Sequence, residues 1–357
     1  MDYKTELREY IELLIDQEGS DIHLLPNVVP SIRVFRKLIS IPNKKELSDE
    51  DMNNFLSELL TAEQLEKLSI QKFLQFSHTH TIDQTSARFR GSAYFTKGSI
   101  AINLRYISTF IPRLEEISLP SVLRDVVGRS QGFFLVVGPV GHGKTTTIFS
   151  MLEDTNQSHS RHIMTIEDPI EYILSSKKSI ITQREVPTDV KNFEDGLNTA
   201  LRADVDVMMV GEMRTKETIT TAIRASETGH LVLSTLHTNG AADTINRIVG
   251  SFPHNDKEQI REQLSYSLLG IFSIRLVTRV GGGLVPAYEV LLNNPAIANI
   301  IRENRLSDIS SIIQSHLHEG MIQLDQSLAN LVKEGEISNE MALQMATDSK
   351  SLGYFLS

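Results

Sequence analysis

Phe133-Phe134-Leu135-Val136-Val137-Gly138-Pro139-Val140-Gly141-His142-Gly143-Lys144-Thr145 is the stretch that decides the fold. Its first five residues are an uninterrupted apolar run and read as a buried strand. The next eight fit the pattern G-x-x-x-x-G-K-[ST] at every fixed position. Helix-compatible sequence follows from Lys144 to about Leu152. Strand, glycine-rich turn and helix in that order build a phosphate cradle. The glycines let backbone N–H groups curl around phosphate oxygens, and the helix N-terminus adds positive potential. Lys144 would reach the β- and γ-phosphates of a nucleotide, and the Thr145 hydroxyl would ligate Mg²⁺. Pro139, Val140, His142 and Thr146 fall within the same expected nucleotide contact.

Further strand-like runs recur at 162–166, 206–210 and 231–235, with helical stretches between them. That alternation implies an α/β domain whose sheet is mainly parallel and covered by helices. In such a sheet the strand ends open onto the ligand crevice. Asp206-Val207-Met208-Met209-Val210-Gly211-Glu212 is a strand ending in a carboxylate, so Glu212 is placed to orient or deprotonate an attacking water. Thr165-Ile166-Glu167-Asp168-Pro169-Ile170-Glu171 follows another strand, and Pro169 disfavours helix at Asp168. Its three carboxylates suit water-mediated contacts to Mg²⁺, or else form an acidic turn facing solvent. His230 and His237 bracket the last run, seven residues apart. An odd separation puts them on opposite faces of a regular strand, which argues against a shared metal. His237, at the strand's C-terminal end, is placed to sense the γ-phosphate. From about Asn255 the chain reads as mostly helical to its end.

The first 110 residues read as a separate α+β domain. Leu7, Tyr10, Ile11 and Leu14 have helical spacing. Ile32–Phe35 and Lys37–Ile41 read as short strands. Ser48 is an expected N-cap, followed by the apolar stripe Met52, Phe55, Leu56 and Leu59. Thr61 and Gln64 have capping-box spacing. From Ala87 to Phe95 the chain alternates, with Arg88, Arg90, Ser92 and Tyr94 on one face. A second strand carries Ile100, Ile102 and Leu104 against Ala101, Asn103 and Arg105. Pro112 and Pro120 bound a linker over 111–120, and the second domain is expected over 121–357.

Composition narrows the function classes. The 357 residues carry 35 Lys+Arg against 45 Asp+Glu, a net charge of −10. That balance argues against a broad nucleic-acid surface. With no cysteine, disulfides and thiolate zinc sites are excluded. No apolar run is long enough to span a bilayer, and the first residues lack a signal-peptide core, so a cytoplasmic location is expected.

In this order the elements resemble the type IV pilus retraction ATPases, the PilT family within the secretion ATPases. Gly19-Ser20-Asp21-Ile22-His23-Leu24 looks like the family's N-terminal signature. Ala87-Arg88-Phe89-Arg90 and Leu104-Arg105 match its arginine-bearing strands, and Leu114-Glu115-Glu116 with Leu119-Pro120 its linker. Residues 165–171 resemble its Asp box, Gly211-Glu212-Met213-Arg214 its Walker B end, and 229–238 its His box. Gln183-Arg184-Glu185-Val186 also corresponds. Ala296-Ile297-Ala298-Asn299-Ile300-Ile301-Arg302-Glu303 resembles the retraction-specific helix, with Ala298 where arginine is usual and Ile300 for leucine.

The resemblance implies a homohexameric ring whose subunits pair a PAS-like N-terminal domain with a RecA-like ATPase domain. ATP and Mg²⁺ would be its cofactors, with ATP between the two domains. By the same analogy Glu212 is the catalytic base, and Glu171, with Glu167, serves the metal and water network. His230 and His237 couple nucleotide state to neighbouring elements. Arg88, Arg90 and Arg105 become arginine fingers. The implied partner is the inner-membrane platform protein of the pilus, which would hold the ring at the membrane's cytoplasmic face without membrane insertion or nucleic acid. Two rival readings stay open: an ATPase of a related secretion system, and a nucleotide-gated scaffold with little turnover. His142 stands where a small residue is commoner, and its imidazole is expected to point away from the phosphates.

Overall fold

The computed structural model describes residues 2–34, 37–82, 85–107, 110–213 and 215–356. Chain contacts divide it into two units: Met1–Phe110 with Glu171–Ile173, and Ile111–Ile170 with Leu174–Ser357.

In the first unit, helix Tyr3–Asp16 buries Leu7, Tyr10, Ile11 and Leu14, the expected stripe. Helix Asp49–Leu59 starts at Ser48, whose hydroxyl accepts from Asp51 N–H while the Asp51 carboxylate accepts from Ser48 N–H. Thr61 and Gln64 exchange the same pair of bonds at the start of helix Ala62–Gln71. The strands are β1 (Asp21–Leu24), β2 (Ser31–Val34), β3 (Lys37–Ser40), β4 (Phe73–Ile82), β5 (Thr85–Thr96) and β6 (Ser99–Ile107). They form one antiparallel sheet in the order β3-β2-β1-β6-β5-β4. Phe35, where the sequence reading ended β2, lies outside the described residues. Along β5, Ala87, Phe89, Gly91 and Ala93 are buried, while Arg88, Arg90, Ser92 and Tyr94 turn the other way. Sequence reading missed β4, because its core-side positions include His78 and His80 rather than apolar residues only.

The second unit is a seven-stranded sheet. Its strands are β7 (Gly132–Val137), β8 (His162–Glu167), β9 (Ile180–Glu185), β10 (Val207–Val210), β11 (Leu231–Leu236), β12 (Leu268–Thr278) and β13 (Leu284–Leu292). The order is β13-β12-β7-β11-β10-β8-β9. Every pairing is parallel except β12 with β13. β7 and β11 are buried along their whole length, which is why they read as continuous apolar runs. The helix after the glycine-rich turn extends beyond Leu152 to Ser158.

The expectation of a mostly helical chain after Asn255 is corrected by β12 and β13, a long hairpin covering 268–292. The signal was present. Two apolar, β-branched runs flank Gly281-Gly282-Gly283, and all three glycines take positive φ at the turn. Burial on both faces of most of β12 removes the alternation that marks a half-exposed strand. Helices Leu324–Lys333, Asn339–Met345 and Ser349–Leu356 then pack on this hairpin around Val277, Val285, Ala287, Leu328 and Leu352.

Candidate active site

β7 delivers its C-terminal end into the turn Gly138–Gly143, and helix Lys144–Ser158 leaves it. Gly138, Gly141 and Gly143 all have positive φ. Gly138 is obligatory for a second reason: a Cβ there would lie 2.3 Å from the Ile274 carbonyl oxygen of β12. The turn therefore lies close against β12. His142 pins it there, since its Nδ1 accepts a 3.0 Å hydrogen bond from Leu276 N–H. The helix begins at Gly143 with no side-chain cap, so its N-terminal N–H groups lack the usual side-chain acceptor.

Lys144 is 7% exposed. Its ammonium donates to the Gly138 and Pro139 carbonyls, both at 2.9 Å, and to Nδ1 of His237 at 3.1 Å. An ammonium has only donors, so Nδ1 of His237 accepts and the ring proton sits on Nε2. That Nε2 lies 3.4 Å from Oε1 of Glu212. Lys144, His237 and Glu212 thus form one connected line. It runs from the phosphate turn to the carboxylate beyond β10. The adjoining backbone is tied as well: the Thr235 hydroxyl donates to the Gly211 carbonyl, and Gly211 N–H donates to the Ile166 carbonyl at 2.9 Å. Arg214 of the same motif lies outside the described residues.

The other expected site residues are distributed unevenly. Glu167 is 2% exposed. Its Oε1 accepts from the Thr165 hydroxyl at 2.6 Å and from the Gln183 amide at 3.1 Å. Glu171 groups with the first unit. His230 precedes β11, whose Leu231 pairs with Gly132, whereas His237 follows Leu236, which pairs with Val137. Seven residue steps at about 3.3 Å each put the two histidines about 23 Å apart, at opposite ends of this interior strand. His230 Nδ1 donates to the Ala225 carbonyl at 3.0 Å and so closes the preceding helix.

On the first unit's sheet, strand register assembles a charged row. Arg90 pairs with Arg105, Arg105 with Asp21, and Asp21 with Arg33. The Asp21 carboxylate is buried. It accepts from Arg105 Nε at 2.9 Å and from the Ser20 hydroxyl at 2.7 Å, and Arg33 Nε lies 3.8 Å away. The Arg105 side chain remains 61% exposed. Arg88 lies two residues along β5 from Arg90, on the same face. Sequence reading missed Arg33, because only the antiparallel register brings it beside Asp21. His23 lies in the next row along, opposite Asn103, and burial holds its imidazole below its ordinary range.

The helix resembling the retraction-specific motif spans Pro295–Arg302 and is capped by the Asn294 side chain. Its Arg302 guanidinium lies 5.7 Å from the centre of the exposed Tyr266 ring. Ala298 is half-exposed, consistent with a surface position.

A strand, a turn with three positive-φ glycines and a buried lysine joined to a strand-end carboxylate define a P-loop nucleotide-binding protein. Residues 116–283 match the family model described as type II/IV secretion system protein. The chain is 41% identical over 326 residues to a twitching motility protein of Neisseria gonorrhoeae, covering 91% of this chain and 86% of that one. It is 38% identical over 341 residues to the type IV pilus retraction ATPase PilT of Pseudomonas aeruginosa, covering 96% and 98%. A crystal structure of the pilus retraction motor PilT with bound ADP superposes with a TM-score of 0.89 at 42% identity, covering 97% and 98%. The chain belongs to the type IV pilus retraction ATPase family.

Proposed function

We propose that this chain is the subunit of a homohexameric, ATP-hydrolysing motor that powers type IV pilus retraction. The observation that carries the reading is the line Lys144–His237–Glu212, which connects the phosphate turn to a carboxylate at the neighbouring strand end. Backbone N–H groups of residues 138–146 would hold the phosphates, aided by Lys144. Mg²⁺, ligated by Thr145 with Glu171 in its outer shell, would neutralise charge on the transferring phosphoryl. Glu212 takes the proton of the attacking water. His237 presents an N–H to Glu212 and so fixes the direction in which that carboxylate accepts. Glu167, held by Thr165 and Gln183, keeps the end of β8 in place. Arg105, Arg90 and Arg88 supply positive charge to the phosphoryl in the assembled ring.

ATP and ADP differ in affinity for closed and open arrangements of the subunits, and that difference drives the motion. The ring acts on the inner-membrane platform protein from the cytoplasmic side. Among the described residues no helix is long and apolar enough to cross a membrane.

Glu212→Gln is expected to keep nucleotide binding and to lower steady-state ATP turnover by about a hundredfold or more. In cells lacking the protein, surface pili should accumulate and twitching should cease, with rescue by wild type and not by Glu212→Gln. Undiminished turnover in the variant removes Glu212 from the base role, and bald cells would overturn retraction.

A further inference from the structure

His237 sits on the loop 237–240, between β11 and helix Ala241–Gly250. What fixes that loop lies on its other side, in the β12–β13 hairpin. Glu289 of β13 is half-buried, and its Oε1 accepts a 2.7 Å hydrogen bond from Ala241 N–H, the first amide of the helix. Ser273, opposite Glu289 in the hairpin, donates to the Asn239 carbonyl at 3.4 Å. Arg275 reaches the same carbonyl at 3.5 Å through Nη2 and donates to the Met345 carbonyl at 2.7 Å through Nη1. Thr244 donates to the Gly240 carbonyl, and Thr238 in turn bonds Thr244.

We propose that Glu289 is a positioning residue for ATP hydrolysis: it holds the 237–240 loop so that His237 spans Lys144 and Glu212. The inference rests on the reading of those three residues as the hydrolytic site. A carboxylate partly withdrawn from water needs a partner, and this one meets a helix N-terminus where both the amide and the helix field favour negative charge. Burial pushes its carboxyl above the ordinary range; the Ala241 N–H bond opposes the shift, Asp325 adds to it and Arg275 opposes it more weakly. Gly240 fits the same logic: its backbone is extended, and a Cβ there would sit 3.2 Å from Glu289 Oε1. Through Arg275, the contact with Met345 makes the C-terminal helices part of the same support. Asp325 anchors those helices by accepting from Thr347 and Asp348 N–H.

The test is a double-mutant cycle in the full chain, read by ATPase kinetics. Glu289→Ala should lower kcat about tenfold or more while KM for ATP stays within about threefold, because the loss is of alignment rather than binding. In a His237→Ala background, Glu289→Ala should cause no further loss of kcat. Should the cavity left by alanine prevent folding, Gly240→Ala presses the same contact without hollowing the core and carries the same expectation. Equal losses in both backgrounds would overturn the positioning role while leaving the site intact. Full kcat in His237→Ala alone would instead overturn the Lys144–His237–Glu212 reading, and the proposal with it.

Discussion

A single histidine separates this phosphate turn from the commoner form, and its geometry assigns it a mechanical role. Nδ1 of His142 accepts from Leu276 N–H, so the ring faces β12 rather than the concave side of the turn. Its replacement should therefore affect folding more than binding. His142→Ser leaves the Leu276 amide without its acceptor, at a cost of about 1–3 kcal/mol in unfolding free energy. ATP affinity is expected to stay within a few-fold of wild type. Denaturant unfolding and equilibrium titration of one preparation check both; a large loss of affinity without loss of stability would put the imidazole on the nucleotide. Residue identity made much of the cradle legible, because Gly138, Gly143, Lys144 and Thr145 are dictated by chemistry at fixed spacing. The Lys144–His237 contact was not legible, because it joins residues 93 positions apart through the pairing of β7 with β11. Nor was the pairing of Asp21 with Arg33 and Arg105, which depends on register across three strands.

Among elements, the well-capped helices and the continuous buried strands were the readable ones. Ser48 and Thr61 announce their helices by side-chain chemistry that acts within four residues. β12 and β13 were hidden because burial on both faces erases periodicity, and β4 because polar rings occupy part of its inner face. That last departure has a consequence for stability. His78 and His80 lie opposite Phe89 and Ala87, on the core side of β5. Burial holds His78 below its ordinary range, and the neighbouring His80 adds to this. His80 is lowered chiefly by burial as well, with Arg8 contributing and Glu12 opposing. The folded state thus binds these protons less readily than the unfolded chain, whose histidines titrate near about 6.5. The sign follows: their contribution to stability is present above that pH and is lost as pH falls through the depressed folded value. Urea unfolding at about pH 7.5 and about pH 5.5 should show a loss in wild type that shrinks in His78→Phe. An identical pH dependence in the variant would show that folding leaves the proton affinity of His78 unchanged.

At the scale of the whole molecule, the question is how one hydrolytic site produces work. Hydrolysis within an isolated subunit ends in heat unless some second body is displaced. The charge distribution indicates how that body is recruited. The chain is acidic overall, yet β2, β6 and β5 gather Arg33, Arg105 and Arg90 into one row around a single buried carboxylate. A cationic row on an acidic protein is suited to an anion, and a nucleotide's phosphates are the anion this family handles. In the proposed ring, a subunit that completes its charge balance only on assembly has a turnover that depends on its neighbours. That dependence separates a coupled motor from a set of independent enzymes. Rings assembled from wild-type and Glu212→Gln subunits in varying proportion should lose activity faster than the fraction of inactive subunits rises. In the limit of strict coupling, activity follows the fraction of rings that contain no inactive subunit. A straight-line decline would mean that each subunit fires alone, and the closure cycle around the ring would have to be abandoned even with hydrolysis at Glu212 intact.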